Sequence, residues 1–160
     1  MQRWIIRMTI VAALVAFFVP AAQAQDLGFV SAGIRGGLNT YPNQFQFGGQ
    51  INAGEFFPHV RFQPSVTFGI GDERKIFMVN IDTAYYVPID GATWNPYIGG
   101  GLGIGIESFD EDSSKDKVKA GLNIMGGIEW GMSSTRYFVE MRTQIGTSMG
   151  DFTVLGGINF

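Results

Sequence analysis

Residues Gly150–Phe160 read GDFTVLGGINF, and the spacing of their apolar side chains decides the fold. Phe152, Val154, Gly156, Ile158 and Phe160 fall on one face of an extended segment, because successive strand side chains point to opposite sides. Thr153, Leu155, Gly157 and Asn159 fall on the other. A strand core at a chain end would read the same way, so the pattern has to be followed upstream.

Working back with a period of two gives eight segments separated by turn residues. They are Gly28–Asn39, Gln44–Phe56, His59–Ile70, Arg74–Ile89, Asn95–Ser108, Lys117–Gly131, Thr135–Gly146 and Asp151–Phe160. The third places Val60, Phe62, Pro64, Val66, Phe68 and Ile70 on one face and His59, Arg61, Gln63, Ser65, Thr67 and Gly69 on the other. The sixth sets Val118, Ala120, Leu122, Ile124 and Ile128 against Lys119, Asn123, Met125 and Glu129. A soluble sandwich would also alternate. Its exposed face, however, would be rich in Lys and Glu, whereas here the polar face carries glycine, amides and few charges. An apolar exterior around a narrow polar interior is the arrangement of a membrane barrel. The expected fold is therefore all-β, an eight-stranded antiparallel up-and-down transmembrane β-barrel.

The beginning of the chain carries a different pattern. Met1–Gln25 opens with Arg3 and Arg7, continues with an apolar run from Met8 to Val19, and reaches Ala22-Gln23-Ala24. This is the layout of a secretory signal peptide cleaved after Ala24. The run is short of the about 20 residues of a spanning helix. The expected organisation is a signal peptide over 1–24 and one barrel domain over 25–160. The 160 residues include 11 basic and 14 acidic side chains. Removing Arg3 and Arg7 takes the formal charge of −3 to −5. Such a balance argues against nucleic acid as a partner. There is no cysteine, so disulfides contribute nothing to stability.

Gly150–Phe160 resembles the terminal-strand signal of bacterial outer-membrane proteins, and Asn95–Gly105 (NPYIGGGLGIG) is similar to a strand of the OmpA/OmpX/OmpW-like barrels. The position two before the end is often Tyr in that family and is Ile158 here. The resemblance implies an outer-membrane location after export, with both chain ends in the periplasm. It also implies that Phe152, Val154, Gly156, Ile158 and Phe160 are the assembly signal read by the barrel assembly machinery. The partners expected are periplasmic chaperones during biogenesis, then outer-membrane lipid and lipopolysaccharide, around a monomer. On this topology the longest polar linker, Phe109–Asp116, faces outward, and Phe57-Pro58, Asp90–Trp94 and Ser133-Ser134 are periplasmic turns. Aromatic girdles would then run through Tyr41, Phe77 and Phe109 at one end and Phe57, Tyr85, Trp94, Trp130, Tyr137 and Phe160 at the other.

Seven charges fall on the inward face: Arg35, Arg61, Asp82, Lys119, Glu129, Glu140 and Arg142. An eight-stranded lumen is just wide enough to be filled by side chains, so these residues are expected to form an ion-paired plug; a gated pore or proton path is the competing reading. Gly99, Gly101, Gly103 and Gly105 share that face and are expected to make room for the long side chains. Chemistry beyond this is sparse. His59 is the one histidine, and no nucleophile elbow, phosphate loop or metal-ligand spacing is present. No catalytic residue, metal or cofactor is expected. The function expected is that of a non-enzymatic envelope barrel with a structural or surface-interaction role. A narrow channel for small or apolar solutes and a soluble periplasmic ligand-binding barrel are the alternatives.

Overall fold

A computed structural model of the chain describes residues 28–40, 43–71, 74–109, 117–132, 134–146 and 152–160. The expected signal peptide over 1–24 and residues 110–116 of the expected linker lie outside the described residues, with Tyr41, Ser133 and Asp151, as do the side chains of Arg74, Phe109 and Met132. Among the described residues nine strands follow in order: β1 (Ser31–Thr40), β2 (Asn43–Asn52), β3 (Glu55–Phe57), β4 (Val60–Ile70), β5 (Arg74–Tyr86), β6 (Trp94–Phe109), β7 (Lys117–Met132), β8 (Thr135–Ile145) and β9 (Thr153–Asn159).

The long strands pair antiparallel with their neighbours in the chain, β1 pairs with β9, and β2 pairs with β4. Eight strands thereby close into a barrel, with β3 a short addition to the end of β4. A circuit along directly paired residues runs Ile70, Phe45, Leu38, Val154, Met141, Gly126, Ile98, Tyr85 and returns to β4 at Val60. The return lands ten positions from Ile70, which fixes the stagger of the closed sheet and tilts its strands.

Several boundaries differ from the sequence reading, the first strand starting at Ser31 rather than Gly28, and three differences have a local backbone cause. The second expected segment is broken at Ala53-Gly54, where Gly54 has φ 85°, a left-handed conformation that glycine adopts without penalty. His59 sits in a turn with φ 66° rather than in the third strand. The fourth expected segment, which forms β5, ends at Tyr86 instead of Ile89. Beyond it, Pro88 has no N–H to give to a ladder.

Burial is the inverse of a soluble protein. Leu38, Ile98, Leu122, Met141 and Val154 are exposed, while Gln46, Gln50, Asn80, Asn123 and Asp82 are buried. Hydrophobic residues in water would not be displayed in an unbroken belt of this kind. Phe57, Tyr85, Trp94, Trp130, Tyr137 and Phe160 are all exposed and gather at the end that carries the short turns. Trp130 stacks on Tyr137 there at 6.3 Å between centroids. Phe77 joins a separate row of rings with Phe68, Phe47 and Phe45 toward the other end.

Candidate functional site

The barrel interior is the candidate site, and glycine prepares it. Arg35 lies directly opposite Gly48 on one side and Gly157 on the other. Asp82 lies opposite Gly101, Lys119 opposite Gly105, and Glu140 opposite Gly127. The volume left by a missing Cβ is taken by Asp82 at Gly101, by the Tyr97 ring at Gly127 and by the Phe138 ring at Gly157. A methyl group built at Gly101 would stand 2.6 Å from both Cα and Oδ1 of Asp82, and no such contact is tolerated in a packed interior. The row at Gly99, Gly101 and Gly103 therefore serves two ends, since Thr83 and Ile81 carbonyl oxygens also crowd Gly99 and Gly101.

Four of the seven expected charges meet at mid-barrel. The Glu140 carboxylate takes an N–H from Arg35 Nη2 at 2.7 Å and from Arg142 Nε at 3.1 Å. Its other oxygen accepts from the Tyr97 hydroxyl at 3.0 Å. Arg142 Nη1 stands 2.7 Å from Asp82 Oδ2, and Asn123 donates to Asp82 Oδ1 at 2.8 Å. Arg142 also donates to Met125 Sδ at 3.2 Å. Asp82 has no exposed surface, and Glu140 retains 3%. In such low-dielectric surroundings each charge needs its partners.

Arg61 and Glu129 belong to a second cluster near the turn end. Glu129 Oε1 lies 3.1 Å from Arg61 Nη1 and 3.3 Å from Arg136 Nη1, and Asn159 donates to Oε2 at 3.1 Å. The Arg61 guanidinium caps the Tyr86 ring at 4.0 Å, and Tyr86 stacks on Tyr97 at 4.9 Å. Cation–π contact favours this arrangement. Glu129 and Glu140 are diagonal neighbours across β7 and β8, yet each draws on its own arginines. The clusters are joined through amides: Arg35 donates to Gln50, Gln50 to Asn159, and Asn159 to Glu129. Lys119 stands apart, 2.7 Å from Glu107 at the opposite end of the lumen.

Sequence reading missed Arg136 and Glu107, although both sit on the inward parity, Arg136 two before Phe138 and Glu107 two after Gly105. It also missed Glu55, whose Oε1 is 3.7 Å from Arg61 Nε. No periodicity could reveal that contact, because Glu55 follows the Gly54 break. His59 is exposed at the turn, where its ring meets Tyr85 edge-on and its backbone N–H donates to Glu55 Oε2. Among the described residues no group of three His, Cys, Asp or Glu side chains is placed to hold a metal.

Between the mid-barrel ions and the amides of Asn80, Asn123 and Gln144 lies a cavity of about 20 Å³. That is room for about one water, far short of a continuous aqueous path.

No family model and no curated protein matches the chain by sequence. Solved structures match it by fold. The N-terminal β-barrel domain of Pseudomonas aeruginosa OprF superposes with a TM-score of 0.65 at 18% identity, over 83% of this chain and 98% of that one. Neisserial surface protein A gives 0.62 at 17% identity, over 82% and 94%. The Yersinia pestis outer membrane protein Ail gives 0.51 at 13% identity, over 81% and 97%. The chain thus has the fold of the small eight-stranded outer-membrane β-barrels.

Proposed function

We propose that this protein is an integral barrel of the bacterial outer membrane, monomeric and non-enzymatic, with a structural or surface-interaction role and a lumen closed by its own ion pairs. The observation that carries the reading is the inverted burial over a belt of fitting height. The outward row on β4 runs from Val60 to Ile70. Ten steps of about 3.3 Å, tilted by roughly 40°, rise about 25 Å, the height of the apolar band on such barrels. The aromatic residues at the turn end would sit at the inner headgroup level. A soluble ligand-binding barrel would place its apolar face inside, the reverse of what is seen.

In this reading residues 1–24 are the export signal and 25–160 the barrel. The row Phe152, Val154, Gly156, Ile158 and Phe160 engages the assembly machinery, chaperones escort the chain, and the finished belt contacts lipid and lipopolysaccharide. The plug is favoured over a channel because the described lumen holds a water-sized cavity among paired charges. Planar-bilayer recording tests this directly. The plug predicts no steady conductance above that of the bare bilayer; a reproducible open level would establish the channel instead.

A further inference from the structure

Every residue that lines the mid-barrel cavity is buried, and two of them are Arg35 and Arg142. Among the described residues no carboxylate lines it. Glu140 and Asp82 meet these arginines outside the cavity. Arg35 donates from Nη1 to Gln50 and from Nη2 to Glu140, and neither partner borders the cavity. The edge of Arg35 that does border it is the one carrying Nε. That atom is buried and meets no acceptor among the described residues. A charged donor buried without an acceptor is costly. The rest of the wall is rich in polar groups, with the hydroxyls of Thr67 and Thr153 and the amides of Gln46 and Asn80. Thr153 Oγ1 gives its proton to Asn39 Oδ1 at 3.4 Å, which leaves that oxygen an acceptor.

We infer that this cavity binds a single water molecule, which accepts from Arg35 Nε and donates to the hydroxyl and amide oxygens around it. The inference deepens the plug reading above and rests on it. The volume of about 20 Å³ suits one water, which needs about 10–15 Å³ and two to four polar partners. Charge decides between a water and a small anion. Arg35 and Arg142 are already matched by Glu140 and Asp82, at 2.7 Å each. An anion would be a third negative charge against two positive ones, in an interior where unmatched charge is costly. A neutral molecule that both accepts and donates avoids that cost. Bound there, the water is a working part of the plug. Filling its place with carbon would strand Arg35 Nε, so the barrel would lose stability where cavity filling ordinarily adds it.

The test is nuclear magnetic resonance of the full chain refolded in micelles. It reads the Arg35 Nε–Hε group in the rotating frame, where dipolar contact with water and chemical exchange of the proton have opposite signs. A dipolar cross-peak to water is expected in the wild type. It should persist in Thr67→Val, which removes a hydroxyl able to relay it, and vanish in Thr67→Ile, whose extra carbon fills the site. The thermal midpoint of Thr67→Ile should fall below that of Thr67→Val. A heat-dependent gel shift reports that each variant is folded. No dipolar cross-peak in the folded wild type, its survival in folded Thr67→Ile, or a higher midpoint in Thr67→Ile than in Thr67→Val would overturn the inference. A saturable shift of Hε on titration with bromide would overturn it in favour of an anion. Should Thr67→Ile not fold, the wild-type and Thr67→Val spectra decide alone. Steady conductance in a planar bilayer would overturn the plug reading, while the cross-peak would still report the bound water.

Discussion

Glu140 accepts hydrogen bonds from Arg35, Arg142 and Tyr97, and all three donors lose their charged acceptor if it is removed. Glu140→Ala should therefore lower barrel stability by about 3–5 kcal/mol, the cost of stranding buried charge, read from urea unfolding in micelles. A loss within a few tenths of a kcal/mol would show that the pairs do not plug the lumen. Arg35, Glu140 and Arg142 were legible in the sequence as inward residues, because strand parity alone selects the face. Parity could not say which charges meet. Arg35 and Glu140 are 105 residues apart, and their contact follows from closing β1 against β9 with a particular stagger. Asn123 shows the same limit. Parity gives only its inward face, yet it donates to Asp82 and Asn80 and accepts from Gln144, so Asn123→Arg would break three contacts beside Arg142.

Strands rather than single side chains explain the glycine content. A Cβ at inward Gly37 would collide with the Val154 carbonyl oxygen on β9, whereas at outward Gly36 the nearest atom is 3.5 Å away. Gly37→Ala should cost about 1–3 kcal/mol, as overpacked interiors do, while Gly36→Ala should change little. Comparable midpoints in thermal unfolding of the two variants would contradict this assignment of faces. The outward face makes its own prediction. Met141 lies midway between Tyr137 and Ile145 on β8 and is exposed. Met141→Arg should destabilise the barrel by about 2–4 kcal/mol near the bilayer midplane, measured by folding into lipid vesicles. Strand interiors were legible because period two persists over each of them. Their ends were not: the Gly54 break, the left-handed His59 and the stop before Pro88 depend on local backbone geometry that alternation does not encode.

At the scale of the whole molecule, the two faces trade the places they occupy in a soluble fold. Polar side chains pair with one another inside, through amide links that join the Glu140 and Glu129 clusters, and apolar side chains cover the outside. The edges of the eight long strands are consumed by closure of β1 on β9 and β2 on β4, as hydrocarbon requires. The ring of Tyr85, Trp94, Trp130, Tyr137 and Phe160 gives this cylinder one aromatic rim. The central claim, that the exposed belt is buried in a bilayer, is tested most directly by carbonate extraction of envelopes from cells expressing the full chain, followed by gels of unheated and heated samples. The account predicts that the protein stays in the membrane pellet and migrates faster unheated than heated. Recovery in the soluble fraction, with one mobility at both temperatures, would contradict it.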